Sequence, residues 1–283
     1  MQCQFTNCCI APITGDAISG LDAVPANAKV FHAAGISWTL SSKASEAGNF
    51  GMFIGNYEQL RKIAMRIREA ALELGVKRIV VGECGHAWRV AYSFWNTLVG
   101  IGAGGTDPFA IQLQSQLDGR YKQPMHICEL THDLIQRGAL KFDKEKNDDR
   151  IITFHDSCNV ARASRMGDMP GGQFVIPREI IKAVANRFHD MAPDTIHEST
   201  FCCGGGGGLL TDDLIELRVK GALPRMEALQ RVVDQHGVNF MATICAICKA
   251  QFSKVLPYYG FDMGMVGGVH QLVSKSIRLG EPH

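Results

Sequence analysis

Phe201-Cys202-Cys203-Gly204-Gly205-Gly206-Gly207-Gly208-Leu209-Leu210-Thr211-Asp212 is the stretch that decides how this chain is read. Two adjacent cysteines cannot easily put both sulfurs on one tetrahedral ion, so the pair favours a centre with more than one metal atom. The glycines behind it let the backbone take positive φ and approach a bulky inorganic group, with amide N–H groups free to bond sulfide or thiolate. Gly204 and Gly205 are therefore the expected cofactor-binding positions. A phosphate loop is the weaker reading, because the run lacks the GxxxxGK(S/T) pattern.

Working outward, Cys158 follows the β-rich run Ile151-Ile-Thr-Phe154, and Cys245 and Cys248 follow the apolar run Val238 to Ile244. Together with Cys202 and Cys203 they make a C-x43-CC-x41-C-x2-C array. The C-x2-C step is a chelating spacing common to zinc and iron–sulfur sites. Five thiolates are one too many for a single structural zinc, so an iron–sulfur cluster held by Cys158, Cys202, Cys203, Cys245 and Cys248 is the expected metal centre. Strand ends are expected to deliver all five sulfurs to one place. A disulfide framework fits poorly, because the chain is large for a stapled scaffold and shows no signal-peptide pattern.

The bulk composition is that of an ordinary globular chain: 283 residues, 46% hydrophobic and 20% charged. A net charge of +1 leaves no electrostatic footprint for nucleic acid. No apolar run approaches the roughly 18 residues of a membrane span, so no direct span is expected. Ten cysteines without a secretory pattern suit a reducing cytoplasm, with any membrane association peripheral and made through a partner.

The expected fold class is α/β, built as two tandem, pseudo-repeated parallel half-domains of which the first is degenerate. In the first half a helix from about Tyr57 to Leu74 ends at Gly75, and a strand Arg78–Val81 leads to Gly82-Glu-Cys-Gly-His86. In the second, a helix from about Pro224 to Gln235 ends at Gly237, and a strand leads to Cys245-Ala-Ile-Cys248. Setting Cys84 on Cys245 puts Ala87 where Cys248 stands; upstream, Glu46-Ala47-Gly48 is read as the counterpart of Cys202-Cys203-Gly204. His126-Ile-Cys128 likewise parallels Gly268-Val-His270, each leading into a short helix. No complete strand is visible before the early cysteines, and Cys3 falls by spacing near the counterpart of Cys158. The expected units are residues 1–140, a degenerate CCG-like half; 141–150, a solvated linker; and 151–283, the half that binds the cluster.

At these residues a resemblance becomes specific. The C…CCG…CxxC array resembles the CCG cysteine-rich domain found in heterodisulfide reductases and their relatives. SWTLSS, GNFGMFIGNYE, VGECGHAWRVAYSFWNTL, FHDSCNVARASRMGDMPGGQF and ICAICKAQF, spread over roughly residues 35–275, resemble the K component of the membrane complex associated with dissimilatory sulfite reductase (DsrMKJOP). The resemblance implies one noncubane 4Fe–4S cluster on the five cysteines. It also implies a disulfide or trisulfide reductase module acting on a small DsrC-like sulfur-carrier protein. Electrons would come from a membrane quinol-oxidising subunit within a larger complex. The K component's upstream ferredoxin-like C-x2-C-x2-C-x3-C motifs have no counterpart here, which suggests a fragment or a shortened form. The alternative reading is a non-catalytic electron-transfer or assembly subunit of another oxidoreductase.

The candidate catalytic residues are His86, Cys84 and His155. His86 and Cys84, with Glu83, sit where the worn half would have carried ligands; His86 would protonate a departing thiolate. His155 and Asp156 would hydrogen-bond the cluster or relay protons, or Asp156 would cap a helix. Arg162 and Arg165 would meet an acidic tail or a substrate carboxylate, or lie as surface charges. Lys249 would tune the potential or point into solvent. Cys128 reads as structural, and Trp88, Tyr92, Phe94 and Trp95 read as core.

Overall fold

The computed structural model describes residues 8–11, 23–43, 49–76, 78–95, 124–208 and 210–279. Cys3 and Glu46-Ala47-Gly48 lie outside them, so the expectations placed on those residues have no structural counterpart.

The first sheet is parallel, with strands β1 (Cys8–Ala11), β2 (Trp38–Leu40), β3 (Arg78–Val81) and β4 (Met125–His126) in the order β2-β1-β3-β4. Helices α1 (Ala23–Ala33), α2 (Asn49–Phe53) and α3 (Tyr57–Glu73) precede β3. Asn56 caps α3 by accepting from the Gln59 amide at 3.1 Å, and Gly75 ends it with φ +60°. β3 leads into α4 (Gly85–Val90), which runs on through a wide turn at Ala91–Trp95; β4 leads into α5 (Ile127–Gln136). β1 begins at Cys8 and contains Cys9, so two of the early cysteines lie in a strand that the sequence reading did not place.

The second sheet is also parallel, in the order β5-β6-β7: β5 (Ile152–His155), β6 (Phe240–Thr243) and β7 (Val266–Gly268). Every residue of β5 and β6 is buried, as expected for parallel strands covered on both faces. Around them lie α6 (Cys158–Ala161), α7 (Gly172–Val184), α8 (Ile215–His236), α9 (Ala246–Val255) and α10 (Val269–Ser276). α8 begins well before the expected Pro224, which sits inside it. Its C-terminus is the expected one, at Gly237 with φ +67°.

One core cluster takes residues from both sheets, among them Val30, Val81, Trp88, Phe154, Ile180 and Val273. A second lies under the cysteine loop, with Met191, Cys203, Met226, Leu229, Met241 and Phe252. The charged stretch 141–150 is mostly exposed, with a short helical turn at Lys144–Asn147, and is pinned at two points. Asn147 is buried and donates to the Val184 and Leu272 carbonyls at 2.9 and 3.1 Å, and Phe142 bridges to Ile277. Backbone groups in this stretch need partners once covered, and the neighbouring helices supply them.

Candidate metal centre

Two strand ends and one loop bring the sulfurs together. Cys158 opens α6 just beyond β5, while Cys245 stands at the residue before α9, just beyond β6, and Cys248 lies in that helix's first turn. Cys202 and Cys203 arrive differently, on a loop after two short turns at Pro193–Thr195 and His197–Ser199, so the third strand end expected for them is absent. His197 takes φ +54°, rare for a residue with a Cβ, and its amide donates to Asp156 Oδ2 at 3.0 Å. The glycine run then folds back onto α8. Gly204 has φ +82°, and a Cβ there would lie 2.7 Å from the Arg218 carbonyl oxygen and the Ala222 nitrogen. Its amide donates to Cys202 Sγ at 3.4 Å, and Gly205 packs against Cys203 Sγ.

The thiols neighbour one another in the order Cys158, Cys202, Cys203, Cys248, Cys245 and Cys84. They compete for protons. The hydrogen bond from Cys158 drives Cys202 far down, and the same bond drives Cys158 up. Cys203 is driven up by its bond to Cys202, and Cys248 by its bond to Cys203. Burial pushes Cys245 up, but bonds from Cys248 and Cys84 and the nearby His86 bring it well below an ordinary thiol. Sulfurs this close cannot all be thiolates together unless cations sit among them.

The surroundings fit an anionic metal–sulfur group. His155 is fully buried, and neither ring nitrogen has a hydrogen-bond partner among the described residues, while Cys202 and Cys245 are near enough to act on it. Buried polar atoms are rarely left so, and a sulfide or thiolate acceptor would satisfy one of them. Burial, then Arg225, depresses His155 to about 3, so it is a neutral donor. Arg225, itself buried and near Cys248 and Cys203, supplies positive charge behind the sulfurs. The donor set of five thiolates with an adjacent pair suits a cluster better than one zinc.

Cys158, Cys202, Cys203 and Cys248 line a cavity of about 290 Å³, faced by Phe53, His86 and Arg89 from the first half. Phe53 closes on the glycine run, since a Cβ on Gly207 would lie 2.8 Å from its ring. Cys202 is exposed and Cys158 half-buried, so the nest opens on that side.

The other candidates are placed as follows. His86 Nδ1 lies 3.4 Å from Cys245 Sγ and Nε2 lies 3.0 Å from Asn159 Nδ2. Both nitrogens have partners, and the ring also lines the cavity. Cys84 caps α4, accepts from the Ala87 amide and bonds Cys245; it too is buried against the nest. His155 is not among the residues that line the cavity and packs edge-on against Phe252. Asp156 is neither relay nor cap: Arg178 holds both its oxygens at 2.9 and 2.7 Å. Arg162 lines the cavity but donates to the Glu198 and Thr200 carbonyls, and the exposed Arg165 accepts from the Trp88 indole through its carbonyl. Lys249 points inward, 3.1 Å from Glu83 Oε2. Glu83 also accepts from the His270 amide and ring at 2.7 and 2.8 Å. Ligand atoms of Glu83, Cys128 and His270 lie within 4.8 Å of one another. Lys249 already neutralises that carboxylate and Thr131 occupies the other His270 nitrogen, so the trio is complete without a cation. The sequence reading named Glu83 and Lys249 but not the ion pair between them, and it missed Arg225 and Asn159. Trp88 and Trp95 are buried as core, while Tyr92 is exposed.

A parallel α/β unit that gathers cysteines from strand ends and a CC-glycine loop is the architecture of a cysteine-rich, metal-binding domain. Residues 152–253, which include all five cysteines, match the family model of the CCG cysteine-rich domain. The chain is 37% identical over 258 residues to the Hdr-like menaquinol oxidoreductase iron-sulfur subunit 2 of Archaeoglobus fulgidus, covering 86% of this chain and 45% of that one. It is 38% identical over 259 residues to the Hdr-like menaquinol oxidoreductase iron-sulfur subunit of Archaeoglobus profundus, covering 87% and 45%. A component of the dihydromethanophenazine:CoB–CoM heterodisulfide reductase of Methanosarcina mazei is 25% identical over 225 residues, covering 77% and 45%. The chain belongs to the heterodisulfide reductase-like family of CCG-domain proteins. It spans about half the length of these relatives. Among the described residues no helix is long and apolar enough to cross a membrane.

Proposed function

We propose that this chain is the iron–sulfur module of a heterodisulfide reductase-like complex. In this reading it reduces a disulfide or trisulfide on a small DsrC-like sulfur-carrier protein, with electrons from a quinol-oxidising membrane subunit. The observation that carries the reading is the cavity at the junction of the two sheets, with four cysteine sulfurs on one wall and an opening at Cys202. The names of the Archaeoglobus relatives support the quinol side, and that of the Methanosarcina relative supports the S–S side.

Cys158, Cys202, Cys203, Cys245 and Cys248 would hold one noncubane 4Fe–4S cluster. When bound, it would supply single electrons to an S–S bond brought against it. Phe53 and the glycine run shape the entrance, Arg89 and Arg162 favour an anionic chain there, and the open edge at Cys202 leaves water within reach of a departing thiolate. His86, Cys84 and His155 serve the cluster's surroundings. The two sheets are read as a worn repeat of units 1–140 and 151–283 joined by 141–150. With Cys84 set on Cys245, the pairing Ala11↔Val81 falls on Phe154↔Ala242. The chain would work on the cytoplasmic face, held peripherally by its partner.

Electron paramagnetic resonance on anaerobically purified protein, with and without the oxidised carrier, tests this. A signal that appears only with the carrier is the expected result. The relatives named as iron–sulfur subunits of an oxidoreductase favour a second reading, pure electron transfer. A reversible one-electron signal indifferent to the carrier would select it.

A further inference from the structure

Arg89, Asn159 and His86 form a hydrogen-bonded string from the cavity wall into the sulfur nest. Arg89 Nη1 lies 3.0 Å from an Asn159 side-chain atom assigned as Oδ1. A guanidinium only donates, so the amide must present its oxygen there, which removes the usual ambiguity of an asparagine. Its two N–H groups then face His86 Nε2 at 3.0 Å and Cys158 Sγ at 3.7 Å. With Nε2 accepting, the proton of the neutral imidazole sits on Nδ1, and Nδ1 is the atom 3.4 Å from Cys245 Sγ. His86 and Asn159 are both buried, and the bond between them is the best shielded of the string. Gly85 permits the approach: a Cβ there would lie 2.7 Å from Ser157 Oγ and 3.3 Å from Cys245 Cβ.

We infer that Arg89 and Asn159 are positioning residues. They hold His86 in its Nδ1–H form and so fix two N–H···S bonds, His86 to Cys245 and Asn159 to Cys158, that raise the reduction potential of the bound cluster. The inference rests on the ligand assignment above. Reduction adds negative charge to the sulfurs, and an N–H aimed at a sulfur stabilises the reduced form more than the oxidised one. The first half, though poor in thiolates, thereby sets the electronics of the second.

Two measurements on the full chain test it. In ¹⁵N-histidine spectra, with the His86 signal identified by its absence in His86→Phe, the proton is expected on Nδ1 with Nε2 bare. A proton on Nε2 overturns the string. In redox titrations, Asn159→Leu, which changes no charge, is expected to lower the potential. At a fixed potential the reduced-to-oxidised ratio should fall about tenfold, or ~59 mV for one electron, the scale of losing one or two net hydrogen bonds. Arg89→Met should shift the same way and Arg89→Lys, which still donates to Oδ1, should recover most of it. Unchanged potentials in Asn159→Leu and Arg89→Met, with iron content retained, overturn the inference. Should Asn159→Leu fail to fold, the Arg89→Met and Arg89→Lys pair and the ¹⁵N spectrum decide. A wild-type chain that takes up no iron sinks the proposed function and the claim about potential together, while the spectrum still judges the tautomer.

Discussion

His86 and Cys245, 159 positions apart in the chain, meet at 3.4 Å through Nδ1 and Sγ. The contact joins the segment beyond β3 to the segment beyond β6 at the most buried of the five sulfurs. Cys245 stands at the residue before α9, neighbours Cys248 and Cys84, and is fully buried. It is therefore the sulfur that packing places most firmly and that solvent could least replace.

Cys245→Ser tests the ligand set. Serine keeps the size of the side chain but is a poor ligand for iron beside thiolates. Iron and acid-labile sulfide per chain, measured after anaerobic purification and reconstitution, should fall to a small fraction of the wild-type value. Retention of both near wild-type levels would remove Cys245 from the centre.

Much of this site was legible because thiol spacing and β-rich runs are local signals. Cys158 and the Cys245/Cys248 pair sit just beyond β5 and β6, as the apolar runs before them predict. What escaped depends on distant partners. β1 is only Cys8–Ala11, and its pairing with Trp38–Leu40 and Arg78–Val81 cannot be seen in four residues. Pro224 reads as a helix start, since its missing N–H suits a first turn. Yet α8 runs through it from Ile215. Lys249 looks like a solvent-facing charge until Glu83, just beyond β3, draws it inward.

Gly204 and Gly35 give a matched pair for the glycine loop. Both have positive φ, +82° and +64°, but only Gly204 has neighbours where a Cβ would go. Gly35→Ala should cost about 1–2 kcal/mol from the left-handed backbone alone. Gly204→Ala should cost about 2–5 kcal/mol, because overpacking adds to the same strain. Denaturant titration of the two variants measures the difference, and equal losses would show that the loop does not press on α8.

Glu129 sets a pH dependence near neutrality. It is buried, and that burial raises its carboxyl to about 7 despite bonds from the Gly167 and His126 amides, each 2.6 Å away. An unfolded glutamate ionises near pH ~4.3. Between that value and about 7 the unfolded chain sheds a proton that the folded chain keeps, so this residue lowers stability as pH rises. Glu129→Gln should flatten the fall in unfolding free energy across that window. A slope identical to wild type would mean that the carboxyl is already ionised in the fold.

Glu83 acts with the opposite sign and in a lower window. Burial pushes its carboxyl up, but Lys249 and His270 outweigh burial and hold it at about 2. A depressed folded value contributes stability that is present above the unfolded value of ~4.3 and is lost as pH falls toward about 2. Breaking such a buried pair by removing one partner costs about 3–5 kcal/mol. Glu83→Gln should therefore lose stability of that order at pH 6, measured by denaturant titration, and should lack the wild-type decline between pH ~4 and ~2. Because Glu83, just beyond β3, is tied to Lys249 on α9 and His270 on α10, the loss should loosen the junction that carries the cavity. Faster amide exchange in α9 and α10 than in α3 would show this. Uniform exchange across all three would place the damage in global unfolding instead.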